Sequence, residues 1–103
     1  RKGWLGARQH AHGRLTVDAG AVAALRSGKS LLAAGVTASD GAFARGDVVD
    51  IVDAAGHSIA RGLIEYDAAD TARIIGRRSD AIAGILGYAP RSALVHRDHL
   101  VML

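Results

Sequence analysis

The sequence predicts a mainly β protein of the α+β class, a small mixed β-barrel with two to three short helices on its periphery. Apolar residues gather in many short runs, and glycines stand at the corners between those runs. Only brief stretches carry helical spacing. No internal repeat or low-complexity tract competes with this reading.

Taken in order, Arg14 to Val17 places Leu15 and Val17 on one side of an extended segment. Asp18 stands where a helix N-cap belongs, and Gly28 stops a helix expected over 18–27. Within it Val22 and Leu25, with Ala21 and Ala24 beside them, form an apolar face for packing on a sheet, while Arg26 reaches solvent. Between Gly28 and Gly46 the pattern breaks into Leu31-Leu32, Gly35-Val36 and Asp40-Gly41, which suggests short strands and tight turns. Asp47 to Asp53 and His57 to Tyr66 read as an antiparallel pair joined through Ala54-Ala55-Gly56. Asp67 opens a second helix with Asp70 at N3, where a negative charge suits the helix dipole, and Gly76 closes it. Ser79 starts a third, striped by Ile82, Ile85 and Leu86 and ended by Gly87. Leu94-Val95, a polar turn at His96-Arg97-Asp98 and a buried last strand from Leu100 to Leu103 complete the chain.

At 103 residues, 50% of them hydrophobic and 22% charged, the chain has the profile of one globular domain. Trp4, Phe43, Tyr66 and Tyr88 are the only aromatics, so the core is aliphatic and base stacking is not expected to dominate any function. The lack of cysteine excludes a disulfide framework, a thiolate zinc site and a cysteine nucleophile, and makes the cytosol the expected compartment. No apolar run approaches the roughly 20 residues of a membrane span, so no membrane partner is expected, and the N-terminus lacks signal-peptide regions. A net charge of +3 and a pI near 10.0 permit a polyanionic partner without requiring one. Arg1-Lys2-Gly3-Trp4, without an initiator Met, reads like the middle of something longer: a linker over 1–13, then a domain over 14–103.

Leu15-Thr16-Val17-Asp18-Ala19-Gly20-Ala21, followed by Gly28-Lys29-Ser30-Leu31-Leu32-Ala33-Ala34-Gly35-Val36, resembles the PUA domain at the end of the glutamate 5-kinase family. Phe43 to Val49, Ile59 to Leu63, Ile85 to Tyr88 and His96 to Val101 are similar to the rest of that pattern. Ala34 stands where the pattern has proline, and His99 where it has asparagine. The likeness covers Trp4 to Leu103, and its specificity lies in the ordered set. It implies a PUA-type mixed β pseudo-barrel that follows an amino-acid-kinase domain upstream. It also implies a homo-oligomeric parent that uses ATP and Mg to phosphorylate the γ-carboxylate of L-glutamate in proline biosynthesis, under feedback inhibition by proline. No catalytic, cofactor or metal residue carries over to these positions, so the chain by itself is expected not to be an enzyme.

The residues offer few competing chemistries. Ala23 to Ser30 approaches a phosphate-binding loop, but Ala23 replaces the first glycine and the segment ends a helix instead of opening one, so Lys29 is read as a surface charge. His10-Ala11-His12 has no nearby cysteine or carboxylate and is read as solvated, and His57, His96 and His99 as local hydrogen-bonding groups. Arg45-Gly46-Asp47 spells an adhesion tripeptide that a charged glycine turn explains. Arg14, Arg26, Lys29, Arg77, Arg78 and Arg97 are the cations of interest for RNA, which PUA domains elsewhere bind; with Gly35 allowing close backbone approach, such cations would position phosphates rather than read bases. The reading favoured over it is a regulatory or structural module docked on its own kinase domain in cis, where tethering supplies effective concentration; RNA binding is the alternative. Clustering of the cations would favour RNA; a charge-poor contact surface would favour docking.

Overall fold

The computed structural model describes residues 11–87 and 93–103. Trp4, His10, Tyr88 and most of the expected linker lie outside them. Strand β1 (Gly13–Val17) leads into helix α1 (Ala19–Arg26), a 3₁₀ turn (Ala33–Gly35) and β2 (Val36–Gly41). Strands β3 (Val48–Val52) and β4 (Ser58–Ile64), helix α2 (Ala68–Ile74), a second 3₁₀ turn (Ser79–Ala81), helix α3 (Ile82–Leu86) and strand β5 (Val95–Met102) follow.

The strands form one mixed sheet in the order β2-β1-β3-β4-β5, in which β1 runs parallel to β3 and every other neighbouring pair is antiparallel. Register places Leu15 beside Ile51, Ile51 beside Ala60, and Ile64 beside Val95, and all of these are buried, so one face of the sheet carries the core. The opposite face carries a row of alternating charge, Asp40, Arg14, Asp50 and Arg61, in register across four strands. Phe43 and Tyr66 add aromatic bulk to an otherwise aliphatic core.

Both predicted N-caps are present. The Asp18 carboxylate accepts from the Ala21 N–H at 2.8 Å, and the Asp67 carboxylate from the Asp70 N–H at 2.8 Å, satisfying donors that a helix start leaves open. Ala21 and Leu25 of α1 are buried while Arg26 is exposed, as the apolar stripe requires. The predicted hairpin joins β3 to β4, with Gly56 at φ +88°.

Three expectations are corrected. Leu31-Leu32 is not a strand: Leu31 makes one isolated bridge to Val95 and the chain then enters the 3₁₀ turn. The third helix begins as 3₁₀ at Ser79 and becomes α-helical only at Ile82. His96-Arg97-Asp98 does not interrupt the last strand, because β5 continues from Val95 to Met102. Its pairing with β4 jumps from Ile64↔Val95 to Gly62↔Leu100, so Leu63 alone faces the four residues His96 to His99, which arch outward as a large bulge. Gly62 makes this crossing possible, since a Cβ there would lie 2.4 Å from Val95 Cγ1 and 2.9 Å from the His99 carbonyl oxygen. As an edge strand β5 is only partly buried, with Leu100 inside and Val101 and Met102 half-buried, and Leu103 just beyond its end is 62% exposed.

Two stability tests follow from local chemistry. Thr71 is fully buried and its hydroxyl has no hydrogen-bond partner among the described residues, so Thr71→Val, which keeps the shape and removes the orphan group, raises stability by about 1 kcal/mol. Thermal melting should rise by roughly 4–8 °C; a lowered midpoint would contradict the assignment. At the hairpin, the Asp53 carboxylate accepts from the backbone N–H groups of His57 at 2.9 Å and Ala55 at 3.0 Å. The His57 N–H is the main cause holding Asp53 below its ordinary value. A lowered carboxylate value stabilises above the unfolded value, roughly pH 4, and loses that contribution as pH falls through the folded one. The stability gap between the native chain and Asp53→Asn should therefore shrink from roughly pH 5 to pH 2 in urea titrations, and a constant gap would refute it.

Candidate functional site

Helix α1 and the segment after it enclose a largely apolar hollow. The helix ends in a Schellman arrangement: the Gly28 N–H donates to the Leu25 carbonyl at 3.0 Å and the Lys29 N–H to the Ala24 carbonyl at 3.1 Å, with Gly28 at φ +84°. That turn reverses the chain, so residues 29–35 run back beside the helix that precedes them. At the far end the Asp18 N–H donates to the Gly35 carbonyl at 3.0 Å, pinning the returning segment to the helix start.

The result is a groove of 310 Å³. Ala21 and Ala24 line one wall, and Lys29, Ser30, Leu31, Leu32, Ala34 and Gly35 the other. Lys29 is its one charged lining residue. Leu32 is 44% exposed although it is large and apolar, and it forms a ridge between this groove and a neighbouring hollow lined by Ala34, Arg78, Ser79 and Asp80. Gly35 takes a packing role here, since a Cβ on it would lie 2.7 Å from the Ala21 Cβ; its absence lets the returning segment close on the helix.

The candidate cations do not all line one hollow. Lys29 and Gly35 share the groove, and Arg78 lies in the adjoining hollow with its guanidinium 3.6 Å from the Asp80 carboxylate. Arg77 is exposed beside Arg78 in sequence. Arg26 lies on the other flank of α1, in a hollow it shares with Val17, Val22 and Asp53. Arg14 stands on the charged face of the sheet, its cross-strand neighbours Asp40 and Asp50 both acidic. Sequence reasoning missed the Leu32 ridge and the alanine wall, because a Leu-Leu doublet does not show which member faces out and alanines carry no functional signal. It also missed the close Arg61–Asp50 pair at 2.7 Å, which only strand register brings together.

The remaining motifs resolve into local structure. Ala44 to Asp47 is a tight turn in which the Asp47 N–H donates to the Ala44 carbonyl, the Asp47 carboxylate accepts from the Ala44 N–H at 2.8 Å, and Gly46 has φ +90°, so the adhesion-like tripeptide is spent on its own turn. Arg45 approaches Glu65 at 3.9 Å. Among the described residues no group of three or more His, Asp or Glu side chains is placed to hold a metal ion, and no helix is long and apolar enough to cross a membrane.

Comparison with known proteins bears on this geometry. Residues 13–86 match the family model of the PUA domain. The chain is 63% identical over 103 residues to a glutamate 5-kinase of Sphingopyxis alaskensis and 59% identical over 102 residues to one of Zymomonas mobilis. It spans 28% and 26% of those proteins, about a quarter of their length, while all or nearly all of its own length is matched. A crystal structure of a PUA domain from Aeropyrum pernix, in complex with tartrate, superposes with a TM-score of 0.60 at 27% identity, covering 82% of this chain and 41% of that one. A conserved PUA domain protein from Thermoplasma acidophilum gives a TM-score of 0.53 at 33% identity, covering 56% of this chain and 38% of that one.

Gly35→Ala tests how the groove is closed. Because the new methyl group meets another Cβ rather than a flexible side-chain end, the returning segment must shift, at a cost of about 1–3 kcal/mol in urea denaturation. No loss of stability would show that the segment is not seated against α1.

Proposed function

The chain belongs to the PUA domain family, and on that premise we propose that it is a non-catalytic accessory module of a glutamate 5-kinase, docked through the α1 groove on the catalytic portion of the same polypeptide. The observation that carries this reading is the groove itself, with an exposed leucine ridge, alanine walls and one lining charge. Exposed apolar surface of this kind suits a protein contact, because burying it against another apolar face is favourable in proportion to the area removed from water. The matched glutamate 5-kinases are almost four times as long as the matched segment, which leaves ample chain to supply the occupant and to hold ATP, Mg and glutamate. Tethering in cis lets a modest contact suffice. The expected division, a linker over 1–13 and a domain over 14–103, fits this arrangement, as do a homo-oligomeric parent and a cytoplasmic location.

RNA binding is the second reading, and the placement of Lys29 at the groove with Arg78 in the adjoining hollow favours it. Two such cations could position a phosphate backbone. Arg14 and Arg26 line other parts of the surface, while Arg97, whose N–H donates to Ser30, lies beside Lys29; affinity for a polyanion rises with the number of phosphates neutralised.

Hydrogen exchange read by mass spectrometry separates the two. In a full-length glutamate 5-kinase carrying this domain, peptides over 21–35 should exchange more slowly than in the isolated chain, and Leu32→Glu should abolish the difference. Equal exchange in both contexts would overturn docking in cis. Protection appearing only when structured RNA is added, and lost in Lys29→Glu/Arg78→Glu, would replace it with the second reading.

A further inference from the structure

The groove is held from beneath by the start of β5, and the bulge that follows is rich in titratable groups. The Leu31 N–H donates to the Val95 carbonyl at 2.9 Å, and the Leu94 N–H to the Leu31 carbonyl at 2.8 Å. Two residues further along β5, the Arg97 N–H donates to Ser30 Oγ at 2.9 Å. Ser30 and Leu31 both line the groove, so its floor and one edge hang on residues 94–97.

The arch from His96 to His99 is arranged around its ring nitrogens. His96 Nδ1 accepts from the Asp98 N–H at 3.1 Å, which is the hydrogen bond of a neutral imidazole with its proton on Nε2. Protonation places a hydrogen on Nδ1 as well. The ring must then release the Asp98 N–H and turn toward the Asp98 carboxylate, whose Oδ2 is 3.6 Å away. His99 Nδ1 lies 3.7 Å from Glu65 Oε2, while Glu65 Oε1 lies 3.9 Å from Arg45, so a charged His99 competes with Arg45 for one largely buried carboxylate. The two imidazole centroids are 6.1 Å apart, with the charged Arg97 between them in sequence. Protonating both gives three positive charges in four residues, set against Asp98 and Glu65, with Arg45 facing the arch from the turn before β3 and Lys29 lying next to Ser30 in the returning segment. Histidine is the side chain whose charge changes across the physiological range.

We infer that the His96–His99 arch is a pH-sensitive latch on the groove: with both rings neutral it holds Ser30 through Arg97, and with both protonated it rearranges and releases that edge. This rests on the docking reading for its biological use and makes groove occupancy weaker in mildly acidic conditions than at neutral pH. The sign follows from the His96 hydrogen bond, which exists only for the neutral ring.

The test is a nuclear magnetic resonance titration of this chain from roughly pH 8 to pH 5, without any partner, so that its outcome is independent of whether docking occurs. The amides of Lys29, Ser30 and Arg97 should shift with the midpoints of the His96 and His99 ring protons. In His96→Gln/His99→Gln those amide shifts should vanish while the fold persists. In Ser30→Ala the rings should still titrate, but Lys29 should stop responding. Stationary Lys29 and Ser30 amides in the native chain would overturn the latch. So would shifts that survive in the double variant, where His12 and His57 are the remaining described histidines.

Discussion

The pairing of Leu31 with Val95 joins the segment leaving α1 to the last strand of the sheet, and the site depends on it. Its two backbone hydrogen bonds, Leu31 N–H to the Val95 carbonyl at 2.9 Å and Val95 N–H to the Leu31 carbonyl at 3.2 Å, join two residues that are both buried in the core. Such bonds contribute only about 0.5–1.5 kcal/mol each. Their importance is geometric, because they fix where residues 29–35 return beside α1. The Schellman turn at Gly28 and the Asp18 to Gly35 hydrogen bond then define the two ends of the groove.

The same topology accounts for the placement of Arg14. Because β1 lies between β2 and β3, Arg14 falls between two aspartates, and the next position in the row pairs Asp50 with Arg61. Alternating cross-strand charges of this kind stabilise a solvated sheet face by a few tenths of a kcal/mol to about 1 kcal/mol per pair, and they cancel one another's long-range field. Helix geometry separates the remaining cations, since Arg26 projects from the flank of α1 opposite the alanine wall.

Much of the scaffold was legible because local chemistry and period agreed. Asp18 and Asp67 are caps in the sequence and caps in the fold, and Ala54-Ala55-Gly56 turns the hairpin it was expected to turn. The failures lie where a local pattern met a long-range partner. His96-Arg97-Asp98 is polar enough to be a turn, yet the edge of β4 keeps it in a strand as a bulge. Gly35, expected to allow close backbone approach, lines the groove and also admits Ala21 of the neighbouring helix, a contact that no spacing along the chain reveals. Leu32 differs from Leu31 only in which way the bridge to Val95 turns it.

By itself the sequence determined the mainly β class, the helix starts, the β3–β4 hairpin and, through an ordered set of short motifs, the PUA likeness, since these depend on caps, turn residues and periodicity within a few neighbours. The tertiary structure alone decided which leucine faces out, that Arg14 lies between two aspartates, and that the C-terminal strand supports the groove beside the first helix. These are contacts between residues far apart in the chain, set by strand order and register, and neither is written in any local run of residues.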